Sequence, residues 1–282
     1  MIGKLTALLV LILLLAGCGE RSSMTQSSSR RIVSIAPNVT EILYTLGLSN
    51  QVVGVSKFSN YPPEAKEKPC VGGTYDPNWE MIVSLQPDLV IGLDSQQEIA
   101  AQLKKLDIDF LGVPHERVEE IMQSVLIIGK ACDAEKKAQE IFQTLKLTTS
   151  GHMNSSGNWK PKVLICIGHD EQMTRMYVAA RNTFYDDLIN LAGGTNACEQ
   201  TAIKYPEISP ESLHAMQPDL IIDLVPNLGS RLSLQPDDFS EDWKPYRAVI
   251  ITNDYAFIPG PRFGLLLEDF NRVIHECSHP DQ

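Results

Sequence analysis

One twelve-residue block occurs twice in the chain, and it constrains the fold more than any other feature. Glu80-Met-Ile-Val-Ser-Leu-Gln-Pro-Asp-Leu-Val-Ile91 aligns without a gap on Glu211-Ser-Leu-His-Ala-Met-Gln-Pro-Asp-Leu-Ile-Ile222. Each copy reads as a helix start, a short helix, a Gln-Pro-Asp break and a buried strand. In the second copy Ser209 is a capping residue and Pro210 suits the first helical position, while Glu211 sits at the positive end of the helix dipole. In the first copy Asn78 is the cap and Glu80 takes the place of Glu211. A repeat of this kind implies two related lobes with equivalent ends facing the same way, a geometry that suits a ligand cleft between them.

The rest of the chain agrees with that frame. Apolar strand patterns at Arg31 to Ala36, Gln51 to Ser56, Asp88 to Leu93 and Phe110 to Val113 alternate with helical spacing at Thr40 to Leu46, where Gly47 is a natural C-cap, and at Gln96 to Leu106. Such alternation predicts a parallel sheet in an α/β lobe over residues 31–115. Residues 116–150 are helical for an unusual length, interrupted only around Gly129 to Asp133, and predict a connecting helix. A second α/β lobe follows over residues 151–282. Its strands are expected at Lys162 to Ile167, Asp219 to Leu224 and Val249 to Thr252. Its helices are expected at Thr183 to Leu191, Glu241 to Ala248 and Arg262 to Glu276.

The first residues have a different character. Lys4 gives a short positive region, and the apolar run from Leu5 to Leu15 is too short for a hydrocarbon core that needs roughly 20 residues. It ends in Leu15-Ala16-Gly17-Cys18, which resembles the bacterial lipobox. Residues 1–17 are therefore expected to be a signal peptide and Cys18 the lipidated N-terminus of an exported protein, with residues 18–30 as a polar, Ser-rich tether.

The formal charge is −11, one unit more negative once Lys4 leaves with the signal. That surface argues against nucleic acid and against a basic membrane-binding patch, but not against a local arginine pocket for an anion. Besides Cys18 the cysteines are Cys70, Cys132, Cys166, Cys198 and Cys277. Cys166 lies in an apolar strand pattern and reads as a buried thiol, and Cys198 with Cys277 is the first candidate for a disulfide in an exported chain. His275 and His279 flank Cys277 near a C-terminus expected to fray, and no CxxC pair points to zinc.

Several segments together resemble one family, the solute-binding proteins of cobalamin, haem and iron-siderophore importers. They are Arg31-Ile-Val-Ser-Ile-Ala-Pro-Asn-Val-Thr-Glu-Ile-Leu-Tyr-Thr-Leu-Gly47, Val53-Gly-Val-Ser56 with Tyr61-Pro-Pro-Glu-Ala65, Val71-Gly-Gly73, the first repeat, Asp187-Leu-Ile-Asn-Leu-Ala-Gly-Gly-Thr-Asn-Ala197 and Pro259-Gly-Pro-Arg262. The resemblance runs from about Arg31 to Glu276 and is strongest to the cobalamin-binding branch. It implies a non-enzymatic protein with two doubly wound lobes joined by a long rigid helix. It also implies that the protein hands a large metal chelate to a permease dimer with ATPase subunits. A corrinoid is favoured over a ferric siderophore or haem, and no cofactor or metal of the protein's own is expected.

The resemblance further implies roles for particular residues. Glu80 and Glu211 match the exposed glutamates, one per lobe, that dock on the permease. Tyr205 matches an aromatic that enters the cleft from the loop before the repeat helix. Thr74 holds the equivalent place in the first lobe, with Tyr75 adjacent as a substitute, and Tyr61 matches a further cleft position. From the residues themselves, His169 and Asp170 follow a strand at the end where open α/β sheets place ligands, so His169 is a candidate contact to a ligand metal. Arg181 and Arg262 are candidates to receive carboxylate or phosphate groups, and Arg262 is equally a candidate to cap or pin the final helix. Two rival readings are a surface lipoprotein that captures corrinoid or haem without its own permease, and a secreted enzyme. The sequence holds no GxSxG elbow and no P-loop to support the second.

Overall fold

The computed structural model describes residues 30–152, 159–170, 173–226 and 243–278. The signal peptide, Cys18, all but the last residue of the tether, and His279 lie outside the described residues.

The first lobe is a four-stranded, wholly parallel sheet in the order β2-β1-β3-β4, built from β1 (Ile32–Ser34), β2 (Val52–Val55), β3 (Leu89–Leu93) and β4 (Asp109–Val113). The helices α1 (Pro37–Thr45), α2 (Trp79–Ser84) and α3 (Gln97–Lys105) connect them. The chain then runs through α4 (Val118–Ala131) and α5 (Glu135–His152) into the second lobe. There β5 (Lys162–His169), β9 (Leu220–Leu224) and β10 (Arg247–Ile251) lie parallel, and β7 (Thr195–Asn196) pairs in parallel with the start of β5. The helices of this lobe are α6 (Phe184–Leu191), α7 (Pro210–Met216) and α8 (Phe263–Ser278). The order β7-β5-β9-β10 thus repeats β2-β1-β3-β4. The second lobe adds two short antiparallel strands, β6 (Met176–Val178) on β5 and β8 (Glu207–Ile208) on β6. Those two strands depart from an all-parallel expectation.

The repeat is visible atom by atom. Asn78 and Ser209 each accept the N–H three residues on, at 3.0 Å and 3.5 Å, and so cap α2 and α7. The breaks at Gln86 and Gln217 both turn through the left-handed region, at φ 45° and 48°. The following aspartates then do the same work: Asp88 accepts the Arg31 N–H and Asp219 the Lys162 N–H, both at 2.7 Å. Each bond ties the break to the start of its lobe's central strand, at the residue before β1 and at the first residue of β5.

Two expectations give way here. The connector of residues 116–150 is not one helix but a pair, α4 and α5, broken at Cys132 and Asp133, where Asp133 takes φ 55°. α5 folds back on α4, and the two approach so closely at Gly129 that a Cβ there would stand 2.3 Å from the Ala138 Cβ. Residues 243–246, expected to continue a helix from Glu241, form a turn that leads into β10 and buries Trp243.

α4 is what unites the lobes. Its apolar side chains Val118, Ile121, Met122, Val125 and Ile128 recur at helical spacing and enter one buried cluster with Ile32 and Val113 of the first lobe and Val163, Leu188 and Phe270 of the second. A core continuous across both lobes opposes wide hinge motion. The expected Cys198–Cys277 bridge is absent: both are free thiols, Cys198 packed on one face of the second sheet and Cys277 against the cluster on the other. No helix among the described residues is long and apolar enough to cross a membrane.

Candidate functional site

In a doubly wound sheet the loops after the strands form the ligand-facing edge, with the crevice where strand order reverses. Here the loops of one lobe meet those of the other. Arg262, from the segment after β10, reaches Glu41 of α1. Lys204, from the loop before β8, pairs with Glu116, from the loop after β4.

A chain of buried hydroxyls shapes the first-lobe side. Ser34 meets Thr40, Thr40 meets Ser59 and Ser59 meets Ser56, each at 2.8 Å. All four side chains are buried, so the chain pins the loop after β2 onto α1. That loop presents Phe58, which is 56% exposed, and Tyr61, at a cis Tyr61–Pro62 bond. The next loop is held by Gln96, whose amide donates to the Thr74 carbonyl and whose oxygen accepts the Leu93 N–H at 2.6 Å. This fixes the half-buried Thr74 at the end of β3 and leaves Tyr75 70% exposed. On the second lobe Tyr205 and Ile203 are exposed in the loop before β8, and Tyr177 is exposed on β6 with its hydroxyl donating to Glu207 at 2.8 Å. Phe58, Ile203 and Tyr177 did not stand out in the sequence. Their signal was a bulky apolar or aromatic residue in an otherwise polar stretch.

The charged candidates are committed to other partners. Arg262 forks onto Glu41, at 3.0 and 2.6 Å, and onto Asp254, at 3.0 and 3.1 Å, and its guanidinium lies 3.8 Å from the Tyr61 ring centre. Arg181 pairs with Glu199 at 3.2 Å. Of the sequence candidates, Tyr61 and Arg262 are thus brought into direct contact.

His169 ends β5 with both ring nitrogens engaged. Nδ1 lies 2.8 Å from the Asp170 carbonyl oxygen and Nε2 lies 3.2 Å from Asp223 Oδ2. The hydrogen bond to Asp223 raises the imidazole from 6.5 to about 9, against the cost of burial. Both contacts engage the ring with the protein's own groups. Cys166 lies beside Asp223 in register on β5, and burial pushes its thiol up.

Glu80 and Glu211 are both exposed in the first turn of their helices. A hydrogen bond with Ser209 holds the Glu211 carboxyl below its ordinary range. No group of three or more metal-ligating side chains occurs among the described residues.

Comparison with known proteins accords with this arrangement. The family model described as periplasmic binding protein matches residues 32–240. An uncharacterized ABC transporter substrate-binding lipoprotein of Bacillus subtilis, YvrC, is 28% identical over 99% of this chain and 97% of its own. A vitamin B12-binding protein of Vibrio parahaemolyticus is 28% identical over 92% of each chain. Among solved structures, the periplasmic heme-binding protein RhuT from Roseiflexus sp. RS-1 superposes with a TM-score of 0.75 at 26% identity, covering 89% of this chain and 99% of its own. The vitamin B12-binding protein BtuF of Vibrio cholerae shares the fold, with a TM-score of 0.71 at 22% identity over 90% of this chain and 98% of its own. The chain belongs to the periplasmic binding protein family, whose members are binding components of ABC importers and not enzymes.

Proposed function

We propose that this protein is the lipid-anchored capture component of an ABC importer, and that its ligand is a corrinoid. The observation that supports the ligand class is the pairing of four cations on the segments where lobes and connector meet. Arg117, Arg181, Lys204 and Arg262 each already hold a carboxylate. Haem brings two propionates, and many ferric siderophores carry net negative charge. Binding either would require these cations to leave their partners. The corrinoid periphery is mostly neutral amides around a large apolar ring system. It suits the exposed faces of Phe58, Tyr75 and Tyr205, which offer stacking area at little entropic cost.

Attachment through lipid on Cys18, after removal of residues 1–17, is supported by the lipobox-like sequence and by the lipoprotein named among the relatives. Residues 31–115 and 151–282 would act as the two lobes. Glu80 and Glu211 would present the loaded protein to the permease dimer and its ATPase subunits. Calorimetric titration with cyanocobalamin, haemin and a ferric siderophore tests the ligand class. Tight binding of cyanocobalamin, weakened about tenfold (~1.4 kcal/mol) by Tyr205→Ala or Phe58→Ala, is expected. Preference for haemin or the siderophore overturns the corrinoid reading, and no binding of any of the three overturns the chelate reading altogether.

A further inference from the structure

An arginine of the second lobe grips the first, and an arginine of the connector grips the second. Glu41 of α1 and Asp187 of α6 stand at the same place in their helices, each ahead of a left-handed glycine, Gly47 at φ 79° and Gly193 at φ 85°. Each receives a forked guanidinium from the residue just before a helix, α8 or α4. Arg262, before α8, takes Glu41 through Nε at 3.0 Å and Nη2 at 2.6 Å. Arg117, before α4, takes Asp187 through Nε at 2.9 Å and through Nη2. The Val118 N–H adds a third bond to Asp187, at 2.9 Å.

The first pair is the more enclosed. Glu41 is 2% exposed, and Arg262 also grips its own lobe through Asp254 and stacks on Tyr61 of the other. The backbone at Gly260 comes so near that a Cβ there would lie 3.3 Å from Glu41 Oε2. A buried carboxylate stays charged only beside a fixed cation, so separating the lobes at this point strands Glu41. One contact holds lobe to lobe and the other holds the connector to the second lobe, so together they restrain both the opening and the twist of one lobe against the other. Planar forks hold direction as well as distance, which a lysine does not.

We propose that Arg262 and Arg117 are positioning residues that set the width of the cleft in the empty protein, so that a ligand meets a pre-shaped site. The proposal does not depend on which ligand is captured. Its test therefore uses the ligand-free, full-length protein in detergent, with Cys70 and Cys277 replaced by Ser and spin labels on Glu98→Cys and Glu268→Cys. Pulsed electron resonance then reads the distance between lobes.

The expected result is one narrow distance in the parent. It broadens in Arg262→Lys and in Asp187→Asn and gains a longer population when the two are combined. Circular dichroism checks that each variant is folded. If Arg262→Lys does not fold, the near-isosteric Glu41→Gln and the distant Arg117→Lys carry the same measurement. A combined variant that melts earlier but keeps the parent's narrow distance assigns the pairs to fold stability alone and overturns the proposal.

Discussion

His169 and Asp223 meet across the strand pair β5–β9, with Nε2 3.2 Å from Oδ2, and the aspartate is 1% exposed. A buried carboxylate facing an imidazole favours the charged ring, which explains the rise to about 9. A histidine whose folded value lies above its unfolded one near 6.5 binds the extra proton in the native state. Its contribution is therefore complete below about pH 6.5 and is lost as pH climbs through about 9. Urea midpoints of the parent should fall between these limits more steeply than those of His169→Gln. Parallel pH profiles for the two proteins would show that the pair is not linked to folding.

The Ser34–Thr40–Ser59–Ser56 chain yields a second expectation. Thr40 is at its centre, wholly buried, with its hydroxyl also 3.3 Å from the Ala36 carbonyl oxygen. Thr40→Val keeps the shape but removes all three contacts of the hydroxyl, to Ser34, Ser59 and the Ala36 carbonyl. Ser34 retains the Ala36 carbonyl and Ser59 retains Ser56, so neither is stranded. The cost should be about 1–2 kcal/mol, near the value of one or two buried hydrogen bonds. The loop that carries Phe58 and Tyr61 should loosen first. Faster amide exchange at Ser59, whose N–H bonds the Ser56 carbonyl at 3.0 Å, would report it. Unchanged exchange with unchanged stability would mean that packing alone holds the loop.

Gly129 offers a test in which propensity and packing point in opposite directions. In a helix interior, alanine outranks glycine by about 1 kcal/mol. At this position a Cβ would stand 2.3 Å from the Ala138 Cβ, a contact no rotamer relieves. The α4–α5 pair must then separate, at a cost of about 1–3 kcal/mol. Gly129→Ala should thus lower stability, and Ala138→Gly in the same chain should return part of the loss. A stabilising Gly129→Ala would show that the pair is packed more loosely than its backbone approach implies.

The two repeat copies were legible because cap, break and strand are local. Asn78 or Ser209, the left-handed Gln86 or Gln217 and the aspartate after the proline all act within a few residues. The alternation of apolar runs likewise placed most strands and helices. The break at Asp133 was visible too, but the sharp return of α5 was not, since the same apolar stripe serves a straight helix and a folded pair. β6 and β8 are three and two residues long, below any useful periodicity. The Arg262–Glu41 contact joins residues 221 positions apart, and nothing local announces it. Arg262 was legible as a functional residue, but its partners were not. Those partners join one lobe to the other.

Glu80 and Glu211 can be separated from binding by a matched pair of measurements. Both carboxylates are exposed at the starts of the repeat helices. The helix dipole stabilises each by about 0.3–1 kcal/mol, so neutralisation costs little in fold stability. Replacing both by Gln should leave the calorimetric affinity of the purified protein within about twofold, a difference of roughly 0.4 kcal/mol. Uptake of the same ligand by cells carrying only the double variant should drop to background if the two acids meet arginines of a permease. A single replacement should give an intermediate loss, since the remaining lobe still engages. Full uptake by the double variant would remove these acids from docking, while loss of affinity in solution would instead place them on the path from fold to cleft.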